Sequence, residues 1–146
     1  MTSKGTDVLV VVNNTQTQPD GETEDIKIMV DGVYYKKNNK YYIIYKETDT
    51  TNLMSCSTTV KADIDKNSVL INKSGDICTN MLYNPGQMST GVYDMKFGQL
   101  CIEIITHHVV INLSDDGGEI NIRYKMDLGG HNTENDLSIK INKRNN

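Results

Sequence analysis

Residues 119–128 read EINIRYKMDL, and apolar and polar side chains alternate along the whole of this stretch. Successive side chains of a β-strand point to opposite faces, so the pattern predicts a strand with one face buried and the other in water. The same alternation recurs in residues 25–30, DIKIMV, and in residues 136–141, DLSIKI. Half-buried strands are therefore the predicted building blocks of the fold. The apolar positions of the first stretch are Ile120, Ile122, Tyr124, Met126 and Leu128.

Short turn-forming segments divide the chain at close intervals. Asn and Gly tolerate the positive φ angles that tight hairpins require, and no apolar series at helical spacing is long enough to predict a helix. The pattern predicts an all-β chain of roughly eight to ten strands in sequential hairpins, as a closed antiparallel barrel or a sandwich. So regular a meander favours the barrel, because closure removes exposed strand edges. The turn segments begin at Pro19, Lys37, Asp65, Lys73, Asn84, Phe97, Asp115 and Leu128.

Composition limits the classes of function. The chain has 146 residues, which predicts a single domain over residues 1–146. A net charge of −4 gives no electrostatic reason to bind nucleic acid or an anionic membrane. The apolar run from Val8 to Val12 is too short for a signal-peptide core or a membrane span. Cys56, Cys78 and Cys101 are spaced too widely for a disulfide framework, so we expect reduced, partly buried thiols and a cytoplasmic location.

Adjacent histidines, His107 and His108, suggest a metal site at first sight. On a regular strand their rings project to opposite faces, so they could share a metal only if the strand bulges. The apolar series does change phase between Thr106 and Val109, which predicts a bulge there. A first-row metal site needs at least three compatible ligands, and His131 lies in a separate Gly-rich turn. We therefore expect a strand kink with exposed imidazoles, and no metal or other cofactor.

A less conspicuous pair of charged residues is the better candidate site. Glu47 shares a strand face with Ile43 and Tyr45, and Lys73 shares one with Val69 and Ile71. If these apolar faces point inward, a carboxylate and an ammonium enter the barrel near its mouth. An unpaired buried charge is costly, so we expect them to pair with each other or with Tyr hydroxyls.

Two interpretations of this pair stay open. It could anchor a small ligand in an otherwise apolar cavity, with Tyr45, Tyr93 and Tyr124 as walls. It could instead be a structural ion pair that fixes strand register, or a pair on the rim in water.

The order of several segments resembles the YwiB-like family, small bacterial proteins of unknown function with a calycin-like (lipocalin-like) β-barrel. Tyr45 and Glu47 match the family's Tyr-x-Glu, whereas Lys73 and Met95 stand where the family usually has Arg and Thr. The resemblance extends from about Asp7 to Ile141, implies the barrel fold and carries over no site. The matching segments are VDGVYYKKNNKYYIIYKET at 30–48, VLINKSG at 69–75, MLYNPG at 81–86, YDMKFGQLCIEIIT at 93–106 and GGEINIRYKMDL at 117–128.

Three functions are compatible with these features. The first is a barrel that binds a small apolar or amphipathic molecule. The second is a protein-interaction module or homodimer with a filled, ligand-free barrel, because apolar residues occupy both faces of the strand from Tyr41 to Tyr45. The third is a small hydrolase-type enzyme, which would need Glu47 or another carboxylate with a shifted pKa beside a cavity. The sequence supplies no second catalytic partner for that role, so no catalytic residue is assigned.

Overall fold

The computed structural model describes residues 5–48, 55–95 and 97–144. All its regular elements are β-strands, and none of the described residues forms a helix long and apolar enough to cross a membrane. The strands are β1 (Thr6–Thr17), β2 (Thr23–Lys37), β3 (Lys40–Thr48), β4 (Ser55–Asp63), β5 (Ser68–Gly75), β6 (Ile77–Tyr83), β7 (Met88–Met95), β8 (Gly98–Ser114), β9 (Gly117–Leu128) and β10 (His131–Lys143).

Each strand pairs antiparallel with its neighbours in sequence, and β1 pairs with β10 to close the barrel. The closing ladder runs from Val8 opposite Lys143 to Thr17 opposite Glu134. The predicted closed meander is confirmed, with ten strands. Each of the eight predicted turn segments includes or adjoins a junction between strands, although the one that begins at Lys73 lies mostly within β5. At the β2–β3 junction, Asn38 and Asn39 have φ angles of 53° and 62°, the left-handed conformation that a two-residue hairpin needs.

The predicted phase change in β8 is a β-bulge. Thr106 pairs with Tyr124 and His108 with Arg123, so His107 is an extra residue without a partner on β9. Thr106 and Val109 are both buried despite their odd spacing, and both histidines are exposed. The bulge thus keeps the inward series of β8 continuous from Ile102 to Leu113.

The two halves of the barrel interior are filled differently. In an up-and-down meander, the β1–β2, β5–β6, β7–β8 and β9–β10 turns lie at one end, which we call the mouth. Toward the other end, the Tyr34 and Tyr41 rings stack 5.4 Å apart, and the Tyr34 hydroxyl donates to the Ser114 carbonyl at 2.6 Å. These rings and the fully buried aliphatic residues leave that half packed with side chains. The buried residues there include Val8, Val10, Ile43, Val60, Ala62, Val69, Ile120 and Ile141.

One ladder is much shorter than the others. Between β6 and β7 the paired register covers only Ile77 with Met95 and Cys78 with Asp94. Beyond these pairs, the remaining lengths of the two strands form what we call the β6–β7 seam. The turn that follows β6 bonds instead to β8, where Gly86 donates to the Thr106 carbonyl at 2.8 Å.

The cysteines differ partly from expectation. All three thiols are free and Cys56 is buried, but Cys78 and Cys101 are exposed. The reason is strand alternation: Cys56 lies on the inward face of β4 with Thr58, whereas the other two occupy outward positions. The expectation of partial burial was wrong for Cys78 and Cys101.

Candidate functional site

A cavity of about 320 Å³ occupies the mouth half of the barrel. It exists because the inward positions of this half are not filled to the axis, unlike those of the opposite half. Its wall is mainly aliphatic, and Ile26 marks its rim with 48% of its surface exposed. The aliphatic and thioether lining residues are Val12, Ile26, Ile28, Ile71, Met81, Ile102, Ile104, Met126, Leu137 and Ile139.

The structure brings together every residue that the sequence nominated for a site. Tyr45, Glu47, Lys73, Tyr93 and Tyr124 all line this cavity. They come from β3, β5, β7 and β9, and the closed barrel turns the inward faces of these strands toward one cavity. Their placement follows the alternation pattern, while a ligand-binding role for them stays a prediction.

Glu47 and Lys73 form an ion pair at the polar end of the cavity. The Lys73 Nζ lies 3.4 Å from Glu47 Oε2, and the Thr58 hydroxyl donates to Glu47 Oε1 at 3.2 Å. Their side chains are 25% and 27% exposed for Lys73 and Glu47 respectively, so the pair is neither deep in the core nor fully in water.

A row of polar side chains crosses four strands beside this pair. Tyr45 pairs with Thr58, Thr58 with Lys73, and Lys73 with Thr79. Directly opposed residues in antiparallel strands share one face of the sheet, so all four side chains point inward. We call these residues, together with Glu47, the polar wall.

Tyrosine hydroxyls supply most of the other polar atoms. The Tyr83 and Tyr124 rings meet edge to face, with centroids 4.9 Å apart. Burial raises the pKa of Tyr124 to about 12, and it raises the pKa of Tyr83 well above the ordinary value. Burial, followed by the charge of Glu47, also raises the pKa of Tyr45. These phenols therefore stay neutral at any physiological pH.

Three lining residues that carry polar groups were missed by sequence reasoning: Asn14, Thr79 and Tyr83. Thr79, Met81 and Tyr83 occupy every second position of β6 and so share its inward face, and that spacing could have revealed them. Asn14 lies in the polar end of β1, where the sequence NNTQT reads as a solvated strand end. Asn14 Oδ1 and Thr79 Oγ1 are buried and make no hydrogen bond within the part of the chain that the structure describes.

The histidines lie elsewhere. His107 and His108 face outward from the β8 bulge, and His107 Nε2 lies 3.1 Å from Glu134 Oε1. They border a second pocket of about 400 Å³, which is more open and more polar, and neither is among the residues that line the cavity. His131 opens β10, and its Nε2 lies 2.6 Å from Gln18 Oε1.

Comparison with known proteins places the chain in a family. Residues 10–141 match the family model of DUF1934, described as a domain of unknown function. The chain belongs to the DUF1934 family. This DUF1934 protein is similar to the uncharacterized beta-barrel protein YwiB of Bacillus subtilis strain 168, with 32% identity over 112 residues. That alignment covers 77% of this chain and 76% of the relative.

A solved structure agrees with the DUF1934 barrel described above. The crystal structure of the ywiB protein from Bacillus subtilis superimposes with a TM-score of 0.86 at 28% identity, over 98% of this chain and 95% of that one. The resemblance drawn from the sequence segments is confirmed. Because the family is one of unknown function, its residues bring no assigned role to the cavity.

Proposed function

We propose that this DUF1934 protein binds a small apolar or amphipathic molecule in the mouth half of its barrel. The observation that carries the proposal is the cavity itself, about 320 Å³ beside a half that is packed solid. Protein interiors are normally filled to crystal-like density, and ligand pockets begin at roughly 300 Å³. An apolar wall of this size favours an apolar body for the ligand.

The polar wall supports an amphipathic ligand over a purely apolar one. Glu47, Lys73 and the Tyr45 phenol lie at one side of a cavity that is otherwise mainly apolar. A few convergent polar groups in such a pocket fix the orientation of a ligand. A purely structural ion pair would explain the strand register, but it would not explain the space beside it.

A cavity-filling substitution tests the proposal. Ile104 lines the cavity and its neighbour Ile105 faces outward on the same strand, so Ile104→Phe and Ile105→Phe form a matched pair. The probe is N-phenyl-1-naphthylamine, a neutral dye that fluoresces in apolar sites. The chain has no Trp, which keeps the background emission low.

We expect the wild type and Ile105→Phe to bind the dye, and Ile104→Phe to lose at least most of the binding. Circular dichroism would check that both variants keep the strand signal. Equal dye binding by the two variants would place the dye on the surface and overturn the proposal. If Ile104→Phe alone loses dye binding, mass spectrometry of native protein from its own host would identify a retained molecule.

A second candidate function is self-association through the outer face of β1 to β3. Met29 is 60% exposed there, opposite Val11, and Val33 is opposite Ile44. Partly exposed apolar pairs on one face of neighbouring strands support a contact surface. Sedimentation of the wild type and of Met29→Glu would test it: a dimer that the substitution dissociates supports this function, and a wild-type monomer rejects it.

We also propose a reducing compartment such as the cytoplasm. The support is that Cys56, Cys78 and Cys101 are all free, two of them at the surface.

A further inference from the structure

Polar groups lie on two opposite walls of the cavity. The polar wall spans β3 to β6 and ends at Thr79, whereas Asn14 lies on β1. In the ten-strand ring β1 and β6 are five strands apart in either direction, so they face each other across the barrel. Asn14 and Thr79 thus lie at two separated places in the cavity wall, with mainly aliphatic and aromatic side chains between them.

In the side-chain amide of Asn14, the nitrogen has a hydrogen-bond partner and the oxygen has none among the described residues. Its Nδ2 donates to Asn135 Oδ1 at 3.3 Å, an oxygen that also accepts from Gln16 at 3.4 Å. Asn135 in turn donates to the Thr133 carbonyl oxygen at 3.3 Å, an atom that can only accept. This chain of amides fixes which end of Asn14 is the oxygen, and that oxygen is buried without a donor.

Thr79, on the opposite wall, also has a buried polar atom without a hydrogen-bond partner in the described part of the chain. Its hydroxyl is buried beside Lys73 and has no partner among the described residues. Buried polar atoms are satisfied in the great majority of native structures, and those that are not call for a partner. Both Asn14 and Thr79 line the cavity, so a bound molecule can supply these partners.

The charges of the cavity wall indicate what charge the ligand carries. Of the described residues that line the cavity, Glu47 and Lys73 alone are charged, and they neutralise each other. A charged ligand would bring an uncompensated charge into a largely apolar space beside a pair that is already neutral. The balance of charge favours a neutral ligand.

We infer that the ligand is an uncharged molecule with an apolar middle and hydrogen-bonding groups at both ends. One end donates to Asn14 Oδ1, and the other meets the Thr79 hydroxyl. The inference rests on the proposed function, because it specifies the chemistry of a ligand for the same cavity.

Three probes of equal chain length test it by isothermal calorimetry: octane-1,8-diol, 1-octanol and octanoate. In the wild type we expect the diol to bind more tightly than the alcohol, although the diol is better hydrated in water. Octanoate is expected to bind least. Tighter binding of octanoate than of the diol would overturn the inference.

Two near-isosteric variants, Asn14→Leu and Thr79→Val, identify the groups responsible. Each should weaken diol binding roughly three- to tenfold, the range expected for one hydrogen bond, and should leave alcohol binding unchanged or stronger. The ratio of the two affinities is measured within each variant, so a general loss of folding cannot mimic the effect. If the alcohol binds and the ratio does not change, this inference fails while the proposed function stands. If no probe and no dye binds, both fail.

Discussion

Lys73 and Glu47 meet across an intervening strand: Lys73 Nζ on β5 lies 3.4 Å from Glu47 Oε2 on β3, while Thr58 on β4 donates to the same carboxylate. The contact ties three consecutive strands together on the inner face of the barrel. It also leaves each ionic partner with about a quarter of its side chain in solvent. The pair is therefore in the range where removing one partner has a measurable cost.

The first prediction concerns the stability of this pair. We expect Glu47→Gln and Lys73→Met each to lower the free energy of unfolding by about 1 kcal/mol, because each leaves the other group partly buried without its ion partner. The double substitution should cost less than the sum of the two. Urea unfolding of the four proteins measures the coupling.

The exposed pair between Lys143 and Asp116, whose side chains are 45% and 87% exposed, supplies the control. Lys143→Met should change stability by less than about 0.5 kcal/mol. If the substitutions at Glu47 and Lys73 are equally neutral, the pair behaves as a surface contact, and the idea that it anchors a ligand is rejected.

The second prediction is a loss of stability in alkali. The pKa of Tyr124 is raised from 10.0 to about 12, and burial also raises the pKa of Tyr83 and of Tyr45. Between the unfolded and folded pKa the native state binds more protons, so stability is intact below pH 10 and falls as the pH rises toward 12. For each group, a difference of one unit between the folded and unfolded pKa corresponds to about 1.4 kcal/mol of stability lost.

Phenolate absorbance and far-ultraviolet circular dichroism, followed together above pH 10, check this. The buried tyrosines should ionise in step with unfolding. Ionisation of every tyrosine while the strand signal persists would contradict the burial described for these phenols.

The third prediction uses the bulge. Deleting His107 leaves Thr106 opposite Tyr124 and His108 opposite Arg123 as consecutive pairs, which restores a regular strand. We expect this deletion to keep the fold and to cost no more than about 1 to 3 kcal/mol. Deleting Ile105 should cost more, because β8 then keeps its register only by turning Thr106 outward and burying the His107 imidazole in its place. Melting temperatures of the two deletion variants compare them directly.

The fourth prediction contrasts two glycines with positive φ. A Cβ on Gly117 would lie 2.3 Å from the Ile141 carbonyl oxygen, whereas one on Gly86 would meet nothing within 4 Å. Gly117→Ala should therefore cost more than about 3 kcal/mol, since backbone strain and a clash with main chain add together. Gly86→Ala should cost about 1 to 2 kcal/mol from the φ angle alone. Thermal unfolding would separate them, and equal costs would mean that the β8–β9 turn can relax.

Much of the fold could be predicted because its signals are local. Alternation in residues 119–128 depends only on which side chains face water, and the Asn38 and Asn39 hairpin depends only on φ preference. The bulge at His107 could also be predicted, because the change of phase in the apolar series depends only on consecutive residues.

The candidate site was only partly predictable. Glu47 and Lys73 stand out as charges on apolar faces, but nothing local indicates that Asn14 meets Asn135, which is 121 residues away. That contact depends on closure of β1 against β10 and on the register of the closing ladder. The unfilled space depends in the same way on how side chains from nearly every strand meet at the axis.

The short ladder between β6 and β7 has a consequence for motion. Fewer cross-strand hydrogen bonds hold this seam than any other, and the cavity-lining residues Met81 and Tyr93 lie on its two sides. Local opening requires less free energy where fewer such bonds must break. Amides directed into the seam should therefore exchange with deuterium faster than those of β9 and β10, as hydrogen-exchange mass spectrometry would show. Opening of this seam gives a molecule in the cavity a lateral exit beside the mouth, without global unfolding of the barrel.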